Sequence, residues 1–377
     1  MDTIKLFSLK GITVKILPMI SLLLFSFGEI FRGSAYIIIS FLLVIPFLFS
    51  FLSRFGYNRS LFNFVQLVFL GSLFNLFVTE NGLGGTFLFL TNVALALFCM
   101  INMRNVKYLV LLVLLYNTTF LFEKIFIEMV NPNYIYEDIG LSQNYPGMLL
   151  ILWSCFWGFC KYLTERKVSV IVPILSCFLA FFLKGRSSLG ILLFLSVMSL
   201  CLRNKKYVHI LLLIGSGLIY MYWDVVLDIY LMTNFAEYSL ESSRYNIWRA
   251  YFEALDFISL LGGLELSNVP LIHSYGNNPH NFLLNFHYRM GFLGVIALVS
   301  LAILSIKKYI NKNDYIPLLY LVCVIIRFMF DACINSTYDF ILYAMLFYPF
   351  LNKNKYDFSL SQLDTKGNLL TRIFSIV

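Results

Sequence analysis

Charged residues are scarce in this chain: only 13% of its 377 residues are Asp, Glu, Lys or Arg, whereas 60% are hydrophobic. A soluble domain of this length does not bury so large an apolar fraction, which excludes an ordinary soluble protein. We expect an all-α integral membrane protein. The formal net charge is +8. Loop topology explains this excess better than nucleic-acid binding, so we expect no nucleic-acid partner.

Motifs for nucleotide and metal chemistry are missing. The sequence has no Walker loop, no dinucleotide-binding glycine motif and no nucleophile elbow, so we expect no use of ATP or NAD. His273, His280 and His287 are seven residues apart without an HExxH or CxxC partner, which argues against a metal site. We therefore predict neither cofactor nor metal. No cleavable signal precedes the first apolar stretch, which is expected to remain as an anchor.

The sequence contains twelve apolar segments. They predict one polytopic transmembrane domain over residues 1–377, a bundle of about twelve helices. The segments are roughly 12–30, 34–52, 61–78, 83–101, 107–130, 145–162, 168–184, 187–202, 207–223, 281–306, 315–334 and 338–351.

The charges predict how these segments are oriented. With the N-terminus inside, the termini and alternate loops collect 20 of the 28 basic residues but only five of the 20 acidic residues. Because cytoplasmic loops are enriched in Lys and Arg, both termini are predicted to be cytoplasmic, including a tail at 352–377. One long external loop, residues 224–279, is predicted between segments nine and ten. Eight basic residues are not in predicted cytoplasmic loops: Arg32, Lys124, Lys184, Arg186, Arg244, Arg249, Arg289 and Arg327.

Two of these arginines have a competing structural explanation. Arg186, in KGRSSLG, offers a planar fork for phosphate oxygens, but a cation there also anchors a helix at lipid headgroups. Arg327 lies well inside segment eleven, four residues before Asp331, so the two can pair in the bundle interior or line a wet cavity. Arg289 is predicted to lie at the outer interface, on the opposite side of its helix from His280.

The long external loop is predicted to contain a short amphipathic helix. Ser242 and Ser243 can cap a helix that runs to about Ile258, with a stripe of Ile247, Tyr251, Leu255 and Ile258. Tyr245 and Trp248 add to its aromatic content. Such a helix suits the membrane interface, and it equally suits a platform for sugar rings.

The run HNFLLNFHYRMGFLG opens segment ten. On a continuous helix, His280, Leu284, His287, Gly291 and Gly294 fall on one face, polar above and grooved below. Placing an imidazole beside an amide at the start of a membrane helix costs free energy, which favours a functional role for these side chains. The alternative is that His280 is a helix cap or a solvated residue.

Four stretches together resemble the O-antigen polymerase (Wzy-type) and O-antigen ligase superfamily of bacterial inner-membrane proteins. They are NPNYIYEDIGLSQNYPG before segment six, GRSSLG at 185–190, SSRYNIWRAYFEALDFISLLGG at 242–263 and PHNFLLNFHYRMGFLG at 279–294. The resemblance covers most of the chain as architecture and implies a GT-C-like fold. It places the chain in the inner membrane with its site facing the periplasm.

The resemblance implies a metal-independent, inverting polymerase that joins undecaprenyl-pyrophosphate-linked glycan to a lipid-linked repeat unit. His280 would act as base, and Arg186 and Arg244 would hold the charge of the departing pyrophosphate. Further partners would be membrane lipid, a chain-length regulator and a flippase. Substrate binding is assigned to Asn281, Arg249, Arg327, Trp248, Tyr245 and Arg289.

Two alternatives stay open at this point. A ligase would transfer finished glycan to another acceptor, but Arg289 stands where ligases often have an acid. Val295 and Ile296 also replace their usual threonine pair, which favours a polymerase. A flippase or other carrier predicts matching halves with paired broken helices, and the sequence has none.

Overall fold

The protein is described by a computed structural model that covers residues 16–27, 35–55, 59–79, 84–131, 135, 144–183, 186–203, 220, 243–330 and 337–351. Over these ranges the chain forms helices and no strand. The helices are α1 Leu17–Ser26, α2 Ala35–Phe55, α3 Arg59–Asn75, α4 Gly84–Ile101, α5 Met103–Phe122, α6 Tyr145–Glu165, α7 Ile171–Phe182, α8 Arg186–Arg203, α9 Ser243–Glu253, α10 Phe257–Gly262, α11 Pro270–Ser274, α12 Phe282–Asn311, α13 Tyr315–Phe330 and α14 Asp339–Phe347.

Four of these helices are long and apolar enough to cross a membrane. They are α4, α5 together with the π-helical turn Glu123–Ile127, α6 and α12. Seven shorter apolar helices accompany them. The chain is thus a helical membrane protein, as its composition predicts. Twelve spans remain a prediction, and segment nine lies almost wholly outside the described residues.

The core of the bundle is aromatic and surrounds α14. Every residue of α14 is buried, and it packs against α4, α6 and α13. Trp153 of α6, for example, contacts the rings of Tyr338 and Phe340. Large flat rings supply the dispersion contacts that hold helices together where lipid offers no hydrophobic driving force.

Helices α3 and α12 cross with their backbones in close contact. A Cβ added to Gly71 would collide with the carbonyl oxygen of Met290, and it would lie 3.0 Å from the nitrogen of Gly294. Gly71 therefore packs directly against the backbone of α12 between Met290 and Gly294. Asn75 strengthens the crossing, because its side-chain amide donates to the Tyr288 carbonyl at 2.5 Å.

The predicted common face of His280, His287 and the two glycines is wrong, because α12 is not a continuous helix over this run. It begins at Phe282, after the N-cap residue Asn281, so His280 precedes it. Gly291 then has φ 62° and ψ −173°, which interrupts the helical turn. Glycine adopts this conformation without strain, and a Cβ there would lie 2.5 Å from the Leu261 carbonyl oxygen.

Residues 243–281, here named the connecting segment, pack around a small core of their own. Ile247 and Tyr251 of α9 are fully buried there with Leu266 and Ile272. The predicted single helix to Ile258 is wrong: α9 ends at Glu253, and Ile258 is 64% exposed. The reason is Asp256, which forms a capping box with Ser259 and starts α10. Helix α10 ends at Gly262, and Gly263 is its C-cap residue.

One end of the bundle has ion pairs between helices, and the other carries the connecting segment. At one end Lys107 pairs with Glu165 at 2.6 Å, and Arg166 with Asp314 at 3.8 Å. The connecting segment lies at the other end, named the connecting-segment end, where α3 and α13 finish and α4, α6, α8, α12 and α14 begin. The charge pattern predicts the same grouping of loops.

Candidate functional site

Arg327 lies where the ends of three helices meet, at the connecting-segment end. Arg327 is 1% exposed, and its guanidinium donates from Nη1 to Ser187 Oγ at 2.9 Å and from Nη2 to the Asn144 carbonyl at 3.2 Å. Ser187 directly follows Arg186, the first residue of α8. Two predicted arginines are thereby brought to the same helix ends. The predicted pairing of Arg327 with Asp331 lies outside the described residues.

Asn281 links this group to the start of α12. Its Oδ1 accepts from the backbone N–H groups of Leu283 at 2.9 Å and Leu284 at 3.3 Å, which caps the helix. Its Nδ2 donates to the carbonyl oxygen of Met329 at 3.2 Å, two residues beyond Arg327. The amide predicted to bind substrate therefore has a structural role in this state.

His280 lies beside this cap, half-buried, in a left-handed backbone conformation with φ 50°. Its backbone N–H donates to Asn278 Oδ1 at 2.8 Å, and its ring meets Tyr275 edge-on at 6.0 Å. A positive φ is uncommon outside glycine, and such residues cluster at functional sites. The cap itself is Asn281, so His280 is not needed for that purpose.

Helix α9 is tied to the same place by Trp248. The indole Nε1 donates to the carbonyl oxygen of Pro279 at 3.1 Å, one residue before His280. Arg244 lies four residues before Trp248 and therefore one turn away on the same side of α9. The half-buried Arg244 is thus one helical turn from the residue that contacts the His280 loop.

The remaining predicted residues have other surroundings in the described part of the chain. Arg249 is exposed and donates from Nε to Glu253 of its own helix at 2.7 Å. That hydrogen bond raises the pKa of Arg249 above its ordinary value. Tyr245 is 69% exposed. Arg289 lines a separate small cavity with Asp339.

The structure adds a histidine and a tyrosine that the sequence did not single out as a pair. His287 Nε2 lies 2.7 Å from the Leu260 carbonyl, and because a carbonyl only accepts, Nε2 carries the proton. His287 Nδ1 then accepts from the Tyr251 hydroxyl at 2.6 Å. Burial raises the pKa of Tyr251 well above its ordinary value, so the phenol keeps its proton. This pair locks the connecting segment to α12.

Asp339 is a second residue that sequence reasoning missed. It is 5% exposed, and its Oδ1 has no hydrogen-bond partner among the residues that the structure describes. An acid at the start of an apolar run, in YDFILYAMLF, was the available signal. In the sequence, Asp339 looks like an ordinary loop residue, because the sequence alone does not show that the start of α14 is buried.

Comparisons of the chain with protein-family models, with curated proteins and with solved structures find no match. The arrangement of these residues must therefore be interpreted from its own chemistry.

Proposed function

We propose that the chain is a glycosyltransferase that polymerises undecaprenyl-pyrophosphate-linked repeat units at the periplasmic face of a bacterial inner membrane. The reaction joins one lipid-linked glycan to another, so it needs a site beside the lipid headgroups. The proposal is supported by a set of cationic and aromatic residues at one end of a helical membrane bundle. That end is the one the charge pattern predicts to face outward.

The observation that carries the proposal is a connected series of hydrogen bonds. It runs from Ser187, beside Arg186, through Arg327 to α13, and from Met329 to Asn281, beside His280. Trp248 extends it to α9 through Pro279. Arginines that only anchor separate helices at the membrane surface do not require hydrogen bonds between those helices. Residues that bind one substrate require such hydrogen bonds, because the distances between them have to be fixed.

The chemistry needs no nucleotide, because pyrophosphate is already a good leaving group. A hydroxyl of the acceptor sugar attacks the anomeric carbon of the donor. The new C–O bond forms as the bond to pyrophosphate breaks, and attack from the opposite side inverts the configuration. Arg186 and Arg244 hold the charge that develops on the pyrophosphate, with Arg327 positioning α8 beside them. His280 takes the hydroxyl proton.

Roles differ among the residues assigned to substrate binding. Trp248 and Tyr245 offer aromatic faces to sugar rings, and Trp248 is fixed by its bond to Pro279. Asn281 acts through the position of the His280 loop. Arg249, held by Glu253 on the exposed side of α9, is assigned to the approach of the anionic lipid rather than to the reaction.

The test is the glycan ladder of a deletion strain complemented with single variants. Loss of the gene is expected to leave a single repeat unit on the final acceptor, and the wild type restores the ladder. His280→Ala and Arg186→Ala are expected to fail, in protein confirmed by immunoblot to be inserted. Matched controls are His273→Ala, an exposed histidine of the connecting segment, and Arg104→Ala, an exposed arginine at the other end. Both controls are expected to restore the ladder.

Other outcomes would assign other functions. Full-length polymer that stays on the carrier lipid in the deletion strain would indicate a ligase. Repeat units trapped on the cytoplasmic leaflet, with loss of all surface glycan, would indicate a flippase. Unchanged chain length in His280→Ala and Arg186→Ala would contradict the proposed polymerase site.

A further inference from the structure

Helix α10 has an outer side made of large apolar residues. These residues and their exposed fractions are Phe257 74%, Ile258 64%, Leu260 39% and Leu261 39%. The two small residues of the same helix, Ser259 and Gly262, are buried instead. The exposed side of α9 is different, because it carries the ion pair between Arg249 and Glu253. Water solvates a patch of adjacent apolar side chains unfavourably, so the patch on α10 needs a covering.

The last carbonyl groups of α10 receive hydrogen bonds from side chains of the bundle. The Leu260 carbonyl accepts from His287 Nε2 of α12, and the Gly262 carbonyl accepts from Asn75 Nδ2 of α3, both at 2.7 Å. At the end of a helix in water, solvent can satisfy such groups. Lipid cannot donate to them, so an element in lipid needs donors from the protein. Helix α10 has such donors.

The depth of α10 follows from its position along α12. The Leu261 carbonyl oxygen lies beside Gly291, where an added Cβ would be 2.5 Å from it. The first lysine near the other end of α12 is Lys307. About 20 residues of helix span the roughly 30 Å hydrocarbon layer, and a count of that length back from Lys307 reaches His287. Helix α10 therefore packs against α12 at the edge of the hydrocarbon layer, on the side of the connecting segment.

The apolar side of α10 continues two exposed apolar stripes of the bundle. On α12, which is long enough to cross a membrane, the exposed apolar residues recur about one turn apart at Phe292, Ile296, Val299 and Ile303. On α3 and the turn after it they are Leu67, Leu70, Phe74 and Phe77. Gly262 packs against Val78, directly after the second stripe, and Leu261 lies beside Gly291, directly before the first. The same lipid layer that covers the stripes thus reaches α10.

We propose that α10 inserts its apolar side into the acyl chains of the adjacent membrane leaflet. Asp256, exposed at the start of the helix, stays at the level of the headgroups. A second copy of the chain is a less suitable occupant, because it would have to displace lipid from the continuous stripes on α3 and α12. Since His287 ties α10 to α12, the lipid contact sets the depth of the candidate site in the membrane. This contact does not depend on the proposed reaction.

The test is fluorescence quenching in nanodiscs of dioleoylphosphatidylglycerol, compared with nanodiscs of the same lipid brominated at its double bonds. Ile258→Trp adds one indole to the apolar side of α10, and the wild-type protein supplies the emission of the four native tryptophans for subtraction. The added emission is expected to be blue-shifted and to lose most of its intensity in the brominated lipid. The matched control is His273→Trp, at an exposed histidine of α11 that lies 3.1 Å from Asn277 Oδ1. Its added emission is expected to be the same in both lipids.

Other results would overturn the proposal. Added emission at position 258 that is red-shifted and unquenched would place α10 in water. Blue-shifted but unquenched emission, with a doubled particle mass by mass photometry, would assign the patch to a second copy of the chain. Equal quenching of His273→Trp would show that the lipid contact is not specific to α10.

A second measurement uses the unmodified protein and so does not depend on the folding of a variant. Wild-type protein is illuminated in nanodiscs that contain a phospholipid with a diazirine in its acyl chain. Mass spectrometry is expected to find the lipid adduct on the peptide that contains residues 257–261. Absence of the adduct from this peptide, when the exposed stripe of α12 is labelled, would also overturn the proposal.

Discussion

The hydroxyl of Tyr251 lies 2.6 Å from Nδ1 of His287 and joins the connecting segment to α12. The opposite ring nitrogen is held by the Leu260 carbonyl at 2.7 Å. One imidazole thereby fixes both α9 and α10 against the helix whose first residues form the candidate site. Displacement of this ring would move Trp248 and the His280 loop together.

Tyr251→Phe is expected to destabilise the protein by about 1–3 kcal/mol, because it leaves a buried ring nitrogen of His287 without a donor. The apparent Tm in detergent, monitored by differential scanning fluorimetry, measures the change. Tyr245→Phe removes the same hydroxyl from an exposed tyrosine two turns earlier on α9 and is the matched control. Equal Tm values for the two variants would contradict the assigned hydrogen bond.

Two substitutions at Asn281 are expected to separate its two bonds. Asn281→Asp keeps the cap on the N–H groups of Leu283 and Leu284 but loses the donor to Met329. Asn281→Ala loses both, and loss of the cap costs about 1 kcal/mol more. We expect Tm to fall in the order wild type, Asp, Ala. Polymer length is expected to shorten in both variants, since the His280 loop is no longer tied to α13. An Asp variant with the full wild-type ladder would show that this tie is dispensable.

Gly291→Ala is expected to lower the stability by more than about 1 kcal/mol. The residue has φ 62°, and an added Cβ would lie 2.5 Å from the Leu261 carbonyl oxygen. The matched control is Gly190→Ala on α8, where a Cβ meets nothing within 4 Å. Because alanine is a better helix former than glycine, this control is expected to gain about 0.5–1 kcal/mol. Thermal unfolding of both proteins under the same conditions gives the comparison, and a stable Gly291→Ala protein would contradict the break in α12.

The fold was predictable where hydrophobic runs are long, and the site was predictable only in part. Composition was enough to identify a helical membrane protein. Ile247 and Tyr251 were correctly placed on one stripe of a helix, which the structure shows to be buried. Ile258 was misplaced because one side chain, Asp256, restarts the helix. Sequence periodicity assumes a continuous helix, so it also failed at Gly291. The importance of Asp339 and His287 depends on tertiary contacts with α4, α9 and α10, which no local pattern contains.

The start of α10 is expected to weaken in acid, through Asp256. Its carboxylate accepts hydrogen bonds from the Ser259 hydroxyl and the Ser259 backbone N–H, both at 2.6 Å. These bonds hold the pKa of Asp256 below its ordinary value. A lowered folded-state pKa means that the carboxylate stabilises the fold above the unfolded pKa of about 3.9. That contribution is lost as the pH falls through the folded-state pKa.

The Tm difference between wild type and Asp256→Asn is therefore expected to be largest near neutral pH and to shrink in acid. Glu253→Gln, an exposed acid three residues earlier with no capping role, is the control. A difference between wild type and Asp256→Asn that stays constant from pH 7 to pH 3 would show that the charged cap does not stabilise α10.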